Sequence, residues 1–197
     1  MNNAYSFEQM LSFSLNKSFR REEQVIKQMI HGCVKVDRAT KGQDKSGIDF
    51  WAILESGRKI GVDAKSRQQG CSKYWRQGPE VALELWSVKD TLGNNRSIGW
   101  TLDQNKDTEL ILFTFDISDS EMCFLVSFQL LRTAFQRYGK LWSRKFKRDI
   151  QNTRHPLSKK ILWQSECVFV PWKEVEDALR SVEQQICRTL NAQSTIF

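Results

Sequence analysis

Asp49, Asp63 and Lys65 are the residues whose types and spacing suggest chemistry. Asp63 and Lys65 stand two apart in the alternating stretch KIGVDAK, residues 59–65, so on a strand both side chains leave the same face. Asp49 begins the preceding strand-like stretch, residues 48–54, and ESGR at 55–58 reads as the turn of a hairpin. Pairing these strands brings Asp49 beside Asp63. Two carboxylates on one face repel unless a cation lies between them. Mg²⁺ (or Mn²⁺) accepts a few such oxygens and completes its shell with water and substrate phosphate. Lys65 adds a fixed positive charge, or a proton-transfer group if its pKa is depressed. The set suits phosphodiester hydrolysis. Asp63-Ala64-Lys65 is the only acid-x-Lys triplet in the chain. The bland alternative is an exposed hairpin with ordinary surface charges.

The elements around the hairpin follow from periodicity. Residues 19–30 read as a helix, with Phe19, Val25, Ile26, Met29 and Ile30 on one face and His31-Gly32 ending it. Glu22 falls on that apolar stripe, whereas Glu23 turns toward its edge. A carboxylate facing a core is costly unless paired or liganded, so Glu22 is a candidate third acid. As a first-turn glutamate it also simply suits the helix dipole. A short helix is expected at 7–15, strands at 33–36, 81–88, 110–115, 122–128 and 167–170, and helices at 130–142 and 172–190. Polar loops are expected at 41–47 and 66–79. The fold class is α/β, a mixed central β-sheet flanked by helices. Glu84 on the 81–88 strand sits near the metal or points outward, and Glu80 is a weaker candidate. Trp86, Trp100, Trp142, Trp163 and Trp172 read as core residues.

An inward Glu on a helix, a strand, a Gly-containing loop, an Asp opening a strand, a turn, and Asp-x-Lys closing the next strand resemble the PD-(D/E)XK nuclease superfamily. The matching stretches are RREEQVIKQMIHG (20–32), SGIDFWAIL (46–54) and KIGVDAKSR (59–67), about a third of the chain. Their spacing is similar to that of archaeal Holliday-junction resolvases. Ile48 stands where the superfamily's name has proline. The resemblance implies a restriction-endonuclease-like fold and metal binding by Asp49, Asp63 and the Ala64 carbonyl. It also implies charge stabilisation or water orientation by Lys65 and a supporting role for Glu22.

The remaining features bound the class. The 197 residues suit one domain, with the catalytic core at about 19–90 and a basic C-terminal extension. Five scattered cysteines without a C-x-x-C pair form neither a disulfide framework nor a zinc ribbon, and two histidines do not support a zinc or His-based centre. No signal peptide or membrane span is read, so a cytoplasmic protein is expected. The net charge of +7 concentrates at 132–160, where Asp149 is the only acidic residue. Arg144, Lys145, Lys147 and Arg148 are candidate DNA-phosphate contacts. Lys73 and Arg76, in a loop with Tyr74 and Trp75, are further candidates. The expected partner is DNA, and a homodimer would allow paired cuts on two strands. Two rivals stand beside the nuclease: a catalytically inactive nucleic-acid-binding module of the same fold, and a protein whose basic face meets an acidic partner.

Overall fold

Apolar residues at helical spacing produce the first helix, α1 (Phe19–Met29), and bury one stripe of it. In the computed structural model, residues 19–44, 46–67, 75, 78–88, 96–117, 120–154 and 161–194 are described. The expected helix at 7–15 lies outside them. Along α1, Glu22 and Ile26 turn inward, as does Ile30 just beyond its end. Met29, expected on the same face, is exposed instead.

Strand β1 (Cys33–Arg38) follows, then a single helical turn, α2 (Lys41–Asp44), where a polar loop is expected. β2 (Phe50–Leu54) and β3 (Lys59–Arg67) form the antiparallel hairpin. β4 (Glu80–Val88) and β5 (Arg96–Ile98) come next, then β6 (Leu110–Ile117), β7 (Ser120–Ser127) and α3 (Phe128–Lys145). The chain continues through β8 (Arg148–Arg154) and β9 (Ile161–Pro171) into α4 (Trp172–Ser194).

The architecture is α/β with a mixed central sheet, ordered β1-β2-β3-β6-β7. Its one parallel pair is β3 with β6, and its other neighbours are antiparallel. A parallel pair requires a long crossover. Here the connection carries β4 and β5, which join a separate antiparallel sheet ordered β5-β4-β9-β8. The sheet carrying the hairpin therefore draws strands from well beyond residue 90. β8, RDIQNTR, is an edge strand whose polar sequence gives little strand signal.

Two apolar cores cover opposite faces of the central sheet. On one face Val62, Ala52 and Leu112 pack with Ile26 of α1. On the other, Ile111, Phe113 and Phe115 join Val81, Leu83, Val168 and Val170 of the second sheet and the buried faces of α3 and α4. Val175, Ala178 and Val182 of α4 are buried as the periodicity predicts, but Ile186 is exposed. Trp142 is core, whereas Trp86 is 44% exposed. Val81, Leu83 and Ser87 of β4 are buried, so alternation along the strand places Trp86 on the opposite, exposed side. Among the described residues no helix is long and apolar enough to cross a membrane.

Candidate active site

The hairpin register sets the site. Phe50 lies opposite Val62, and the Asp49 N–H donates to the Val62 carbonyl at 3.0 Å, so Asp49 enters beside Asp63. Two glycines permit this entry. Gly47 adopts φ +88°, a left-handed conformation, and its carbonyl accepts from the Thr108 hydroxyl. Gly61 leaves space for Ile48, whose side chain would stand 3.0 Å from a Cβ at 61. Ile48 is thereby buried, and Asp49 is anchored at the mouth of the hairpin.

Asp49 Oδ2 accepts the Ala64 backbone N–H at 2.9 Å. The Asp49 carboxyl is pushed up to about 6, first by burial and then by the charge of Asp63, while Lys65 and the Ala64 N–H pull the other way. Asp63 is only 5% exposed. Its Oδ1 accepts from Lys65 Nζ at 2.5 Å. Burial works against the Lys65 ammonium, but Asp63, Asp49 and Glu84 outweigh it and hold its pKa above the ordinary lysine range. The direction of that shift favours a protonated Lys65 at neutral pH.

The donor set fits a hard divalent cation. Two carboxylates are held together with little water, at a cost visible in the raised Asp49, and a cation between them would lower that cost. The Ala64 N–H is directed at Asp49, which fixes the orientation of that carboxylate.

Glu22 occupies a different place. Alternation along β3 puts Val62, Ala64 and Ser66 on the α1 face and Asp63 and Lys65 on the other. Glu22, 7% exposed, accepts from the Ser66 hydroxyl, which in turn accepts from Thr114 at 2.7 Å. The Glu22 contact thus lies on the α1 side of the sheet, and Asp63 and Lys65 project from the other side.

Glu84 and Trp100 are the neighbours that sequence underweighted. Glu84 is buried on β4 rather than turned outward, and its Oε2 accepts the Trp100 backbone N–H at 2.9 Å. Gly99 makes that contact feasible, because a Cβ there would overlap the Glu84 backbone. Trp100, expected as simple core, lies with its ring centroid 5.1 Å from Lys65 Nζ. The Gly99-Trp100 pair was the available signal, but nothing in sequence ties it to residue 84.

The basic candidates divide. Lys73 and Arg76 lie outside the described residues. Lys145 pairs with Glu174 at 2.6 Å, Lys147 with Asp149 at 3.2 Å, and Arg148 with Glu166. Among the described residues Arg144 pairs with no carboxylate, and it is exposed. Three of the four charges thus face carboxylates, two of which come from β9 and α4 and were invisible in the local sequence.

No protein-family model, curated protein or solved structure matches this chain. Its function must be read from its own residues.

Proposed function

We propose that this protein is a Mg²⁺-dependent nuclease of PD-(D/E)XK type that hydrolyses DNA phosphodiester bonds. The observation that carries the reading is the meeting of two buried-side carboxylates, Asp49 and Asp63, with a charged Lys65 at the mouth of one hairpin. The helix α1, the strand β1 and the hairpin β2–β3 follow one another over residues 19–67 in the order that the resembling stretches list.

Asp49 and Asp63 would hold the cation, with the Ala64 carbonyl as the further donor the resemblance implies. The cation would supply Lewis-acid activation of water and of the scissile phosphate. The Ala64 N–H keeps Asp49 aimed, so the site is organised before substrate arrives. Lys65, charged at neutral pH, stabilises the negative charge that develops on the phosphate oxygens rather than acting as a base. The basic segment, with Arg144 the residue best placed to meet a phosphate, would draw in the DNA backbone.

The test is cleavage of duplex, branched and single-stranded DNA in Mg²⁺, Mn²⁺, Ca²⁺ or EDTA. Mg²⁺ and Mn²⁺ should support cutting, Ca²⁺ binding without efficient turnover, and EDTA neither. Undiminished cutting in EDTA overturns the mechanism. One observation favours a second reading, a nucleic-acid-binding module without catalysis: Lys65 already neutralises Asp63 from within the chain. That reading requires DNA binding indifferent to divalent cations and no cleavage under any condition.

A further inference from the structure

A cation entering between Asp49 and Asp63 meets a positive charge already present. Lys65 Nζ lies 2.5 Å from Asp63 Oδ1, on one of the two carboxylates that would hold the cation. Like charges repel, so the ammonium must move when the cation arrives, and it needs somewhere to go. The lysine stem is flexible, and its side chain is 34% exposed.

The described residues offer a destination. A pocket of about 270 Å³ opens beside Lys65, with Glu84, Trp100, Ser165 and Cys167 among its walls. Glu84 is 8% exposed, and the Trp100 N–H engages its Oε2. Glu84 lines this pocket together with Lys65 and Trp100, so its carboxylate borders the space into which the ammonium can move. The Trp100 ring already lies 5.1 Å from the ammonium, a cation–π distance. Glu84 also acts on Lys65 electrostatically, though less than Asp63 does.

We propose that Glu84 and the Trp100 ring form a second station for the Lys65 ammonium, occupied when a divalent cation takes the Asp49–Asp63 pair. This rests on the cation-site reading above. Glu84 is then a positioning residue. It acts through Lys65, withdrawing the lysine from Asp63 and holding it beside the loaded site. The close approach of Gly99 to β4 has a purpose in this scheme, because it fixes the Trp100 ring and the Glu84 carboxylate as one unit.

A double-mutant cycle read by Ca²⁺ calorimetry tests this on the full chain. Glu84→Gln keeps an acceptor for the Trp100 N–H and removes only the charge. It should weaken Ca²⁺ binding about tenfold, a size usual for coupled neighbours. In a Lys65→Met background the same change should have no effect, since there is no ammonium to receive. Trp100→Leu, which retains the backbone N–H, should weaken binding in the same direction and likewise lose its effect with Lys65→Met. Equal losses with and without Lys65 would mean that Glu84 attracts the cation directly or merely supports the fold, and would overturn the second station. So would an unchanged affinity in Glu84→Gln. Absence of Ca²⁺ binding by the wild-type chain is a different result, and it overturns the underlying cation site as well.

Discussion

At the mouth of the β2–β3 hairpin, two carboxylates are held side by side with little water, and Asp49 is driven up to about 6 as a result. At residues 144–148 the charges are exposed, and three of the four are matched by carboxylates on the surface. The first region keeps an electrostatic tension that a bound cation would relieve. The second has largely relieved its own. Exposed pairs of this kind contribute about 0–1 kcal/mol each, so they do little to hold the fold. Charge density in a sequence therefore points less reliably to function than charge held where solvent and partners do not compensate it.

The largest effect expected from this contrast is on catalysis. Asp63→Asn should lower cleavage at saturating DNA by at least about a hundredfold, as losing a central electrostatic group does. Asparagine preserves the buried shape, so circular dichroism should be unchanged. The Arg144, Lys145, Lys147 and Arg148 to Ser variant should retain its rate at saturating DNA. Normal cutting by Asp63→Asn would erase the distinction between the two regions.

The next effect is on stability and its pH dependence. A carboxyl whose pKa rises on folding costs stability when ionised. That cost is fully present above about pH 6 and fades as pH falls toward the ordinary value of 3.8. Asp49→Asn should therefore stabilise the cation-free protein at neutral pH by up to about 3 kcal/mol. The gain should shrink toward zero near about pH 4. Urea denaturation across this range checks the sign, and a gain that grows on acidification would contradict it.

The hairpin was legible because its information is local. Strand alternation, the turn at 55–58 and the two-residue spacing of Asp63 and Lys65 need no distant partner. The inward turn of Glu22 was legible for the same reason. Which sheet face it meets was not, because that depends on how α1 packs across β3. Glu84 and Trp100 meet through a close backbone approach between separate segments, which carries no local signal. The carboxylates opposite Arg148 and Lys145 come from β9 and α4, so counting charges along 132–160 overstated the free basic surface.

A smaller effect separates the two faces of β3. Ser66→Ala removes the hydroxyl joining Glu22 to Thr114 and should cost about 1–3 kcal/mol of stability by denaturant titration. Glu22→Gln should leave Ca²⁺ affinity within about twofold of wild type, far less than the loss in Asp63→Asn, because its contact lies on the opposite sheet face. Equal losses in the two variants would place Glu22 among the cation ligands.

The smallest effect is expected in the basic segment. Arg144→Ser should reduce the slope of log K against log salt for duplex DNA by about 0.9, one phosphate contact. Lys145→Ser should change it less, since Glu174 already engages that ammonium. A reversed order would mean that DNA displaces the surface pairs.

The central claim is tested most directly by measuring Mn²⁺ binding and DNA cleavage on one preparation of wild-type protein. Calorimetry gives the saturation of the Asp49–Asp63 site, and the cleavage rate is followed across the same Mn²⁺ range. The account predicts that cleavage rises with occupancy of that site and that both vanish in Asp63→Asn. Cleavage without such binding, or a fully occupied site with no cleavage of duplex, branched or single-stranded DNA, would contradict it.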